Sequence, residues 1–435
     1  MKQGVDYQRV AVCSKDPQWY LRRWEDLTDD ILPATHLAQA DELLVEHGAE
    51  YGLGDEWRFD RASGRVGVYR RRSGDAYGQP PSGVPLMAAA GKPGVAPNAI
   101  FCAQGLRRSG AETADIPFRV APRYQGLWFE EAKPLTKRQA ADHVASFERV
   151  TLPKPSRRGD VNIGVIDTGI AQGPFLNTVL EDIVPPHYLV AAGSADPPDP
   201  DENGEIESPA GHGTFVTGVL LQAERRIRVH VIRAVGRQGA VSDLELAEAI
   251  DTLAERMRDE KAELDVLNLS LGGWTYDDRK PLMTGDRIDR LPGSTLVVAA
   301  AGNMQSPRRF WPAAMERVVG VGAVVADGTA FDRAEYSNFG DWVDAVAHDG
   351  GAHVPGGRST GAQTSTYYTA FPAEHPDTTG WATWRGTSFT TPIIVARIAS
   401  RMLNDNLRTA QEAWERIRRE SADAPPDFPN AVLVA

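Results

Sequence analysis

Val161-Asn162-Ile163-Gly164-Val165-Ile166 runs directly into Asp167-Thr168-Gly169. The first six residues are almost continuously apolar, as expected for a strand covered on both faces of a parallel sheet. A strand with one face in water would alternate polar and apolar residues instead. The abrupt polar turn puts Asp167 at the carboxyl end of that strand. In wound α/β sheets, binding and chemistry collect outside those strand ends.

C-terminal to this segment, strand and helix patterns alternate. Residues 229–234, 264–269 and 295–299 read as further buried strands. Ser242 and Glu245 have capping-box spacing for a helix through Ala249, Leu253 and Met257. The alternation predicts an α/β fold over residues 158–435, a doubly wound parallel sheet with helices on both faces.

N-terminal to it, a smaller α+β region is expected over residues 1–70. Thr35 caps a predicted helix through Leu37, Ala40 and Leu44 that ends at Gly48. Trp57 and Phe59, then Val66 and Val68, alternate across Ser63-Gly64 as a hairpin. Arg70-Arg71-Arg72 reads as a solvated edge. Residues 71–98 are rich in Gly and Pro and read as a linker. Residues 99–157 form an accessory or propeptide-like region, with strands at 100–103, 118–120, 128–130 and 147–150 and a helix at 137–147. A polar junction follows at 154–160. Residues 344–383 read as an insertion, a solvated loop or a flap.

Composition bounds the partners. The chain of 435 residues carries 47 basic and 59 acidic residues, a net charge of −12. Such a chain has no field to gather nucleic acid or an anionic membrane surface, so neither partner is expected. No apolar run reaches membrane-spanning length. The two cysteines, Cys13 and Cys102, have no metal-ligand or CxxC spacing, and no disulfide framework is expected. No apolar stretch of the signal-peptide kind follows Met1-Lys2-Gln3-Gly4, so the expected location is cytoplasmic.

Three short segments carry candidate chemistry. Asp167-Thr168-Gly169 alone is equally an ordinary turn, or half of a paired-carboxylate site that would need a second copy. Gly211-His212-Gly213-Thr214 places a histidine between glycines at a predicted helix start. No second histidine stands at HExxH spacing, which disfavours zinc. Gly386-Thr387-Ser388-Phe389-Thr390-Thr391-Pro392 places a serine at a helix N-terminus, with Pro392 expected in the first turn. Free N–H groups and the helix dipole there favour developing negative charge. Taken together, Asp, His and Ser are the parts of an orienter, base and nucleophile. The order Asp…His…Ser and the lack of a Gly-x-Ser-x-Gly elbow disfavour an α/β-hydrolase.

At these residues the sequence resembles the subtilisin-like serine proteases over about residues 160–405. The resemblance implies Asp167, His212 and Ser388 as catalytic triad and Asn303 as oxyanion donor. It further implies Ser270, Leu271, Gly272 and Gly273 as the edge that pairs with substrate, beside Ala300, Ala301 and Gly302. The sequence departs from the usual pattern at Phe215, Thr217 and Thr390, none of which is a catalytic atom. The implied activity is a serine endopeptidase acting on a protein or peptide, with no required cofactor. Residues 1–157 are expected to inhibit, recruit a regulatory partner or pack as an extension. A non-catalytic binding protein and a partner-activated zymogen are the alternatives. Asp199, Asp201 and Asn203 resemble the start of a calcium loop, but Ala210 stands where an EF-hand needs Glu, so calcium is a weak expectation and no metal site is assigned.

Overall fold

The computed structural model describes residues 10–13, 19–22, 36–49, 53, 57–71, 94–102, 133–134, 136–145, 161–171, 189–190, 193–196, 210–236, 239–275, 277–327, 330–350, 363–366 and 380–434. The N-terminal strands are β1 (Val10–Cys13), β2 (Trp19–Arg22), β3 (His36–Glu46), β4 (Trp57–Ser63), β5 (Val66–Arg71) and β6 (Val95–Cys102). They form one antiparallel sheet in which β3 pairs with β1, β5 and β6. Strand β7 (Lys133–Pro134) and helix α1 (Lys137–Ala145) follow. The expected strands at 118–120, 128–130 and 147–150 lie outside the described residues.

The helix expected from Thr35 to Gly48 is instead the strand β3. Leu44 packs with Val66, Val68, Leu244, Ala247 and Met283 on one side. Leu43 and Val45 pack with Trp57 and Val95 on the other. With both faces buried, the strand loses its polar alternation, and the spacing of Leu37, Ala40 and Leu44 imitates a helix. The hairpin across Ser63-Gly64 forms as expected. Arg70 stays solvated but is no edge: its strand pairs with β3 and β4, and its side chain pairs with Glu42 at 2.8 Å and Asp60 at 3.3 Å. The boundary expected at residue 98 falls inside β6, which belongs to the same sheet as β3.

The main sheet starts at β8 (Val161–Asp167), moves out to β9 (Leu189–Val190) and returns through β10 (Ile227–Arg233). After the short β11 (Ala240–Ser242), it crosses to the far side of β8 with β12 (Val266–Leu269), β13 (Leu296–Ala300) and β14 (Val318–Asp327). Strand β15 (Ala330–Arg333) pairs antiparallel with β14, and β16 (Ala345–His348) continues the parallel run. The pair β17 (Gln363–Thr366) and β18 (Trp381–Trp384) stands apart, with β7 on the other side of β18. Strand β19 (Ala422–Asp423) and the parallel β20 (Val432–Val434) close the edge. The stretch expected as an insertion at 344–383 therefore contains a main-sheet strand, β16. Strand order reverses around β8, so the carboxyl end of β8 is the switch point.

Helices cover both faces. Helices α2 (His212–Ala223), α5 (Thr387–Asn404) and α6 (Ala410–Glu420) share a core with Ile163, Val165 and Val229. Helices α3 (Asp243–Asp259) and α4 (Leu282–Arg290) share the other core with Ile166, Ile232 and Leu267. Alternate side chains of β8 thus enter opposite cores, which explains its continuous apolar run. Both halves of the Ser242–Glu245 capping box form at the start of α3. Asn98 of β6 adds a second cap, accepting the Leu244 N–H at 3.1 Å.

Removing the capping hydroxyl with Ser242→Ala is expected to destabilise the chain by about 1 kcal/mol, read from urea unfolding. A pH effect follows from His230, buried in β10. Burial is the chief cause that pushes its imidazole down to about 4; Glu260 opposes the shift, and Arg228 and Arg256 add to it. Between its ordinary value of 6.5 and about 4, the unfolded chain takes up a proton that the folded chain refuses. Stability therefore falls as pH drops through that window. His230→Gln is expected to flatten this slope in melts run from pH 4 to 7, and identical slopes would refute it.

Candidate active site

Asp167 ends β8 with no exposed surface. Its Oδ1 accepts the Thr168 N–H at 2.7 Å and faces His212 Nδ1 at 2.8 Å. A carboxylate oxygen can only accept, so the contact takes a proton on Nδ1. His212 opens α2 behind Gly211, whose backbone is left-handed at φ 84°. Close approach of the two loops requires glycine at 213, since a Cβ there would lie 2.2 Å from Gly169 O. The loops are tied again where Ala171 N–H donates to Thr214 Oγ1 at 2.8 Å.

Ser388 is the second residue of α5, which starts at Thr387 behind Gly386. The helix itself offers its N–H no partner, as for every residue in a first turn. Pro392 falls in the second turn, not the first as expected. It lacks the N–H that would bond to Ser388 O, four residues back. Ser270 Oγ donates to that carbonyl instead at 2.7 Å, and Asn268 Nδ2 supports Ser270 Oγ at 3.0 Å. In return, Ser388 Oγ donates to Ser270 O at 3.0 Å. His212 Nε2 is buried and takes part in no hydrogen bond among the described residues. The structure thus pairs Asp167 with His212 and sets the ring of Phe389, the residue after Ser388, 5.3 Å from the imidazole, with the serine hydroxyl turned toward Ser270.

Asn303 follows β13, across the site from α5. Its Oδ1 accepts both the N–H and the hydroxyl of Thr387, at 2.8 and 2.9 Å. With Oδ1 held there, the donor Nδ2 lies beside Gly386, 3.2 Å from where a Cβ would stand. Ala301 is fully buried, its N–H bonded to Val321 O and its carbonyl to Asn338 Nδ2. Ala300 lies in β13 and Gly302 N–H bonds to Thr387 Oγ1, so 300–302 form a wall and not a free edge.

The edge expected to receive substrate is occupied by this chain. Gly272 exchanges both backbone bonds with Cys102, at 2.8 and 3.0 Å. On the opposite side, β11 pairs antiparallel with Ile100, Phe101 and Cys102. Residues 100–102 therefore run as a strand between β11 and Gly272. Gly272 has no room for a side chain, as a Cβ would sit 2.4 Å from Phe310 Cε1. Burial pushes the Cys102 thiol up to about 12, so it is neutral and unreactive there.

Sequence reasoning missed the aromatic shell under His212. Phe215, Trp384 and Phe389 pack with ring centroids 4.6 to 5.5 Å apart, and Trp384 and Phe389 lie 5.6 and 5.3 Å from the imidazole. Phe215, one of the departures from the expected pattern, is the floor of that shell. Thr390, another, bonds its hydroxyl to Gly322 O and Thr387 O. It also missed Asp196, a buried carboxylate behind the histidine loop. Asp199, Asp201 and Asn203 lie outside the described residues. Among the described residues no group of three or more His, Cys, Asp or Glu could hold a metal. No helix among them is long and apolar enough to cross a membrane.

Comparison with known proteins gives the family. The model of the subtilase family matches residues 158–427. A thermophilic serine proteinase from Bacillus sp. (strain AK1) is 34% identical over 188 residues, 42% of this chain and 43% of that protein. Subtilisin-like protease 2 from Pseudogymnoascus destructans is 29% identical over 154 residues, 34% of each chain. The chain thus spans under half the length of these curated relatives. Among solved structures, a lanthipeptide protease gives a TM-score of 0.48 at 19% identity, covering 63% of this chain and 86% of that one. A cold-adapted subtilisin-like serine proteinase gives 0.43 at 19% identity, covering 67% and 96%. The family match covers more than half of the chain and spans Asp167, His212, Asn303 and Ser388, and the chain belongs to the subtilase family.

Proposed function

We propose that this chain is a serine endopeptidase with Ser388 as nucleophile, His212 as general base and Asp167 as its orienter. The observation that carries the reading is the buried 2.8 Å contact between His212 Nδ1 and Asp167, with Phe389, the residue after Ser388 in the first turn of α5, 5.3 Å from the imidazole. In the reaction, Ser388 Oγ turns from Ser270 O to His212 Nε2, a swing between staggered side-chain wells. As Oγ bonds to the scissile carbonyl carbon, its proton passes to Nε2 and the carbonyl oxygen becomes an oxyanion. Asn303 Nδ2 and the Ser388 N–H stabilise that charge. Nε2 then protonates the leaving amine as the C–N bond breaks, and water releases the acyl group by the same steps.

Control by the N-terminal region belongs to the same proposal. Backbone pairing along a sheet edge is how an extended peptide is read. Residues 100–102 engage that edge here as a substrate strand would, and the apolar contact of β3 and β5 with α3 and α4 anchors them. This favours an inhibitory role over a plain extension. A partner that draws β6 from the edge would switch the enzyme on, the zymogen alternative. A purely binding protein is disfavoured by the aligned Asp167, His212 and Asn303.

The Phe101→Ala chain, its groove freed of residues 100–102, is expected to react with a fluorophosphonate probe, and the same chain carrying Ser388→Ala is not; an unreactive Phe101→Ala chain would sink the enzyme reading. Asn303→Ala should lower kcat at least about 100-fold with KM little changed, the scale known for the oxyanion asparagine of a subtilisin and not one obtained from this geometry. Phe101→Ala, which loosens β6, should raise turnover of a peptide substrate. A synthetic peptide of residues 95–102 should then inhibit that variant; no effect of either would remove the inhibitory role.

A further inference from the structure

We infer that Asp196 is a positioning residue for the Asp167–His212 pair, which rests on the peptidase reading above. Asp196 is 5% exposed and lies on the segment before the histidine loop. Its Oδ2 accepts two donors, the Gly211 N–H at 2.9 Å and the Thr168 hydroxyl at 2.8 Å. Thr168 Oγ1 in turn accepts the Gly213 N–H at 2.9 Å. The peptide N–H groups on both sides of His212 therefore end on one carboxylate oxygen, one directly and one through Thr168.

The same threonine closes the circuit on the other partner. Its backbone N–H donates to Asp167 Oδ1, the oxygen that faces His212 Nδ1. Asp196 thus grips the loop after β8 and the start of α2 together. It is itself held, since its N–H donates to Ile170 O at 2.9 Å and Ile170 N–H to Ser194 O at 2.9 Å. Ser194 Oγ anchors the strap to β10 through Val231 O at 2.9 Å. A charged acceptor makes shorter and stronger hydrogen bonds than a neutral one. An amide at 196 would weaken both bonds, or aim an N–H at donors if turned the other way.

Asp196 reaches no reacting atom in this arrangement. Its effect passes through the placement of the imidazole, where a shift of about 1 Å can lower turnover about 100-fold. The test compares Asp196→Asn, Thr168→Val and the double variant with the parent chain, all in the Phe101→Ala background that frees the groove. Each single variant should lower kcat per titrated site roughly 10- to 100-fold with KM little changed. The double variant should lose no more than the worse single one, because both break one chain of hydrogen bonds. The proton NMR signal of His212 Nδ1–H should shift in Asp196→Asn. Thr168→Val, which removes only a hydroxyl, carries the test if Asp196→Asn folds poorly. A folded variant with parental kcat and an unshifted signal overturns the proposal. An unreactive parent chain would instead defeat the peptidase reading, while the NMR signal still reports on Asp196.

Discussion

A carboxylate can stay in a protein interior only where donors surround it, because an unpaired buried charge is strongly destabilising. Asp167 has no exposed surface; the Thr168 N–H and the His212 imidazole both meet its Oδ1, while its Oδ2 has no hydrogen-bond partner among the described residues. Much of the site can be traced to that requirement. It brings the loop after β8 against the start of α2, which Gly213 alone among residue types permits at this distance. It gives Nδ1 of the imidazole an acceptor and so a proton to donate.

The second constraint comes from a proline. Pro392 deprives Ser388 O of its helical partner, and Ser270 fills the place with its hydroxyl. The helix that carries Ser388 is thereby tied to the segment that continues into Gly272, the residue paired with Cys102. Residues 100–102 sit on it through backbone bonds that any sequence could make, while Phe101 and Asn98 add the side-chain contacts that make the docking particular to this chain.

Much of the main domain was legible in the sequence, and the reason is local. Buried parallel strands declare themselves as apolar runs, and the capping box at Ser242 and Glu245 is a four-residue pattern. The N-terminal region was less legible. β3 imitates a helix because both its faces are buried, Leu44 with Val66, Val68 and helices α3 and α4, and Leu43 and Val45 with Trp57 and Val95. The boundary at residue 98 was misplaced because the Gly- and Pro-rich composition of 71–98 continues into a strand whose partners are distant in sequence.

The sequence by itself determined which residues could do chemistry, since Asp167, His212, Asn303 and Ser388 each sit in a short segment whose residue types and order are readable without a fold. Only the tertiary structure decided how they are held and what lies against them. Asp196 reaches Gly211 and Thr168 across 15 and 28 residues of chain, Phe215 meets Trp384 and Phe389 from β18 and α5, and Cys102 meets Gly272 from a separate sheet. Such contacts leave no local pattern, because hydrogen-bond geometry and packing depend on distance in space and not on spacing along the chain.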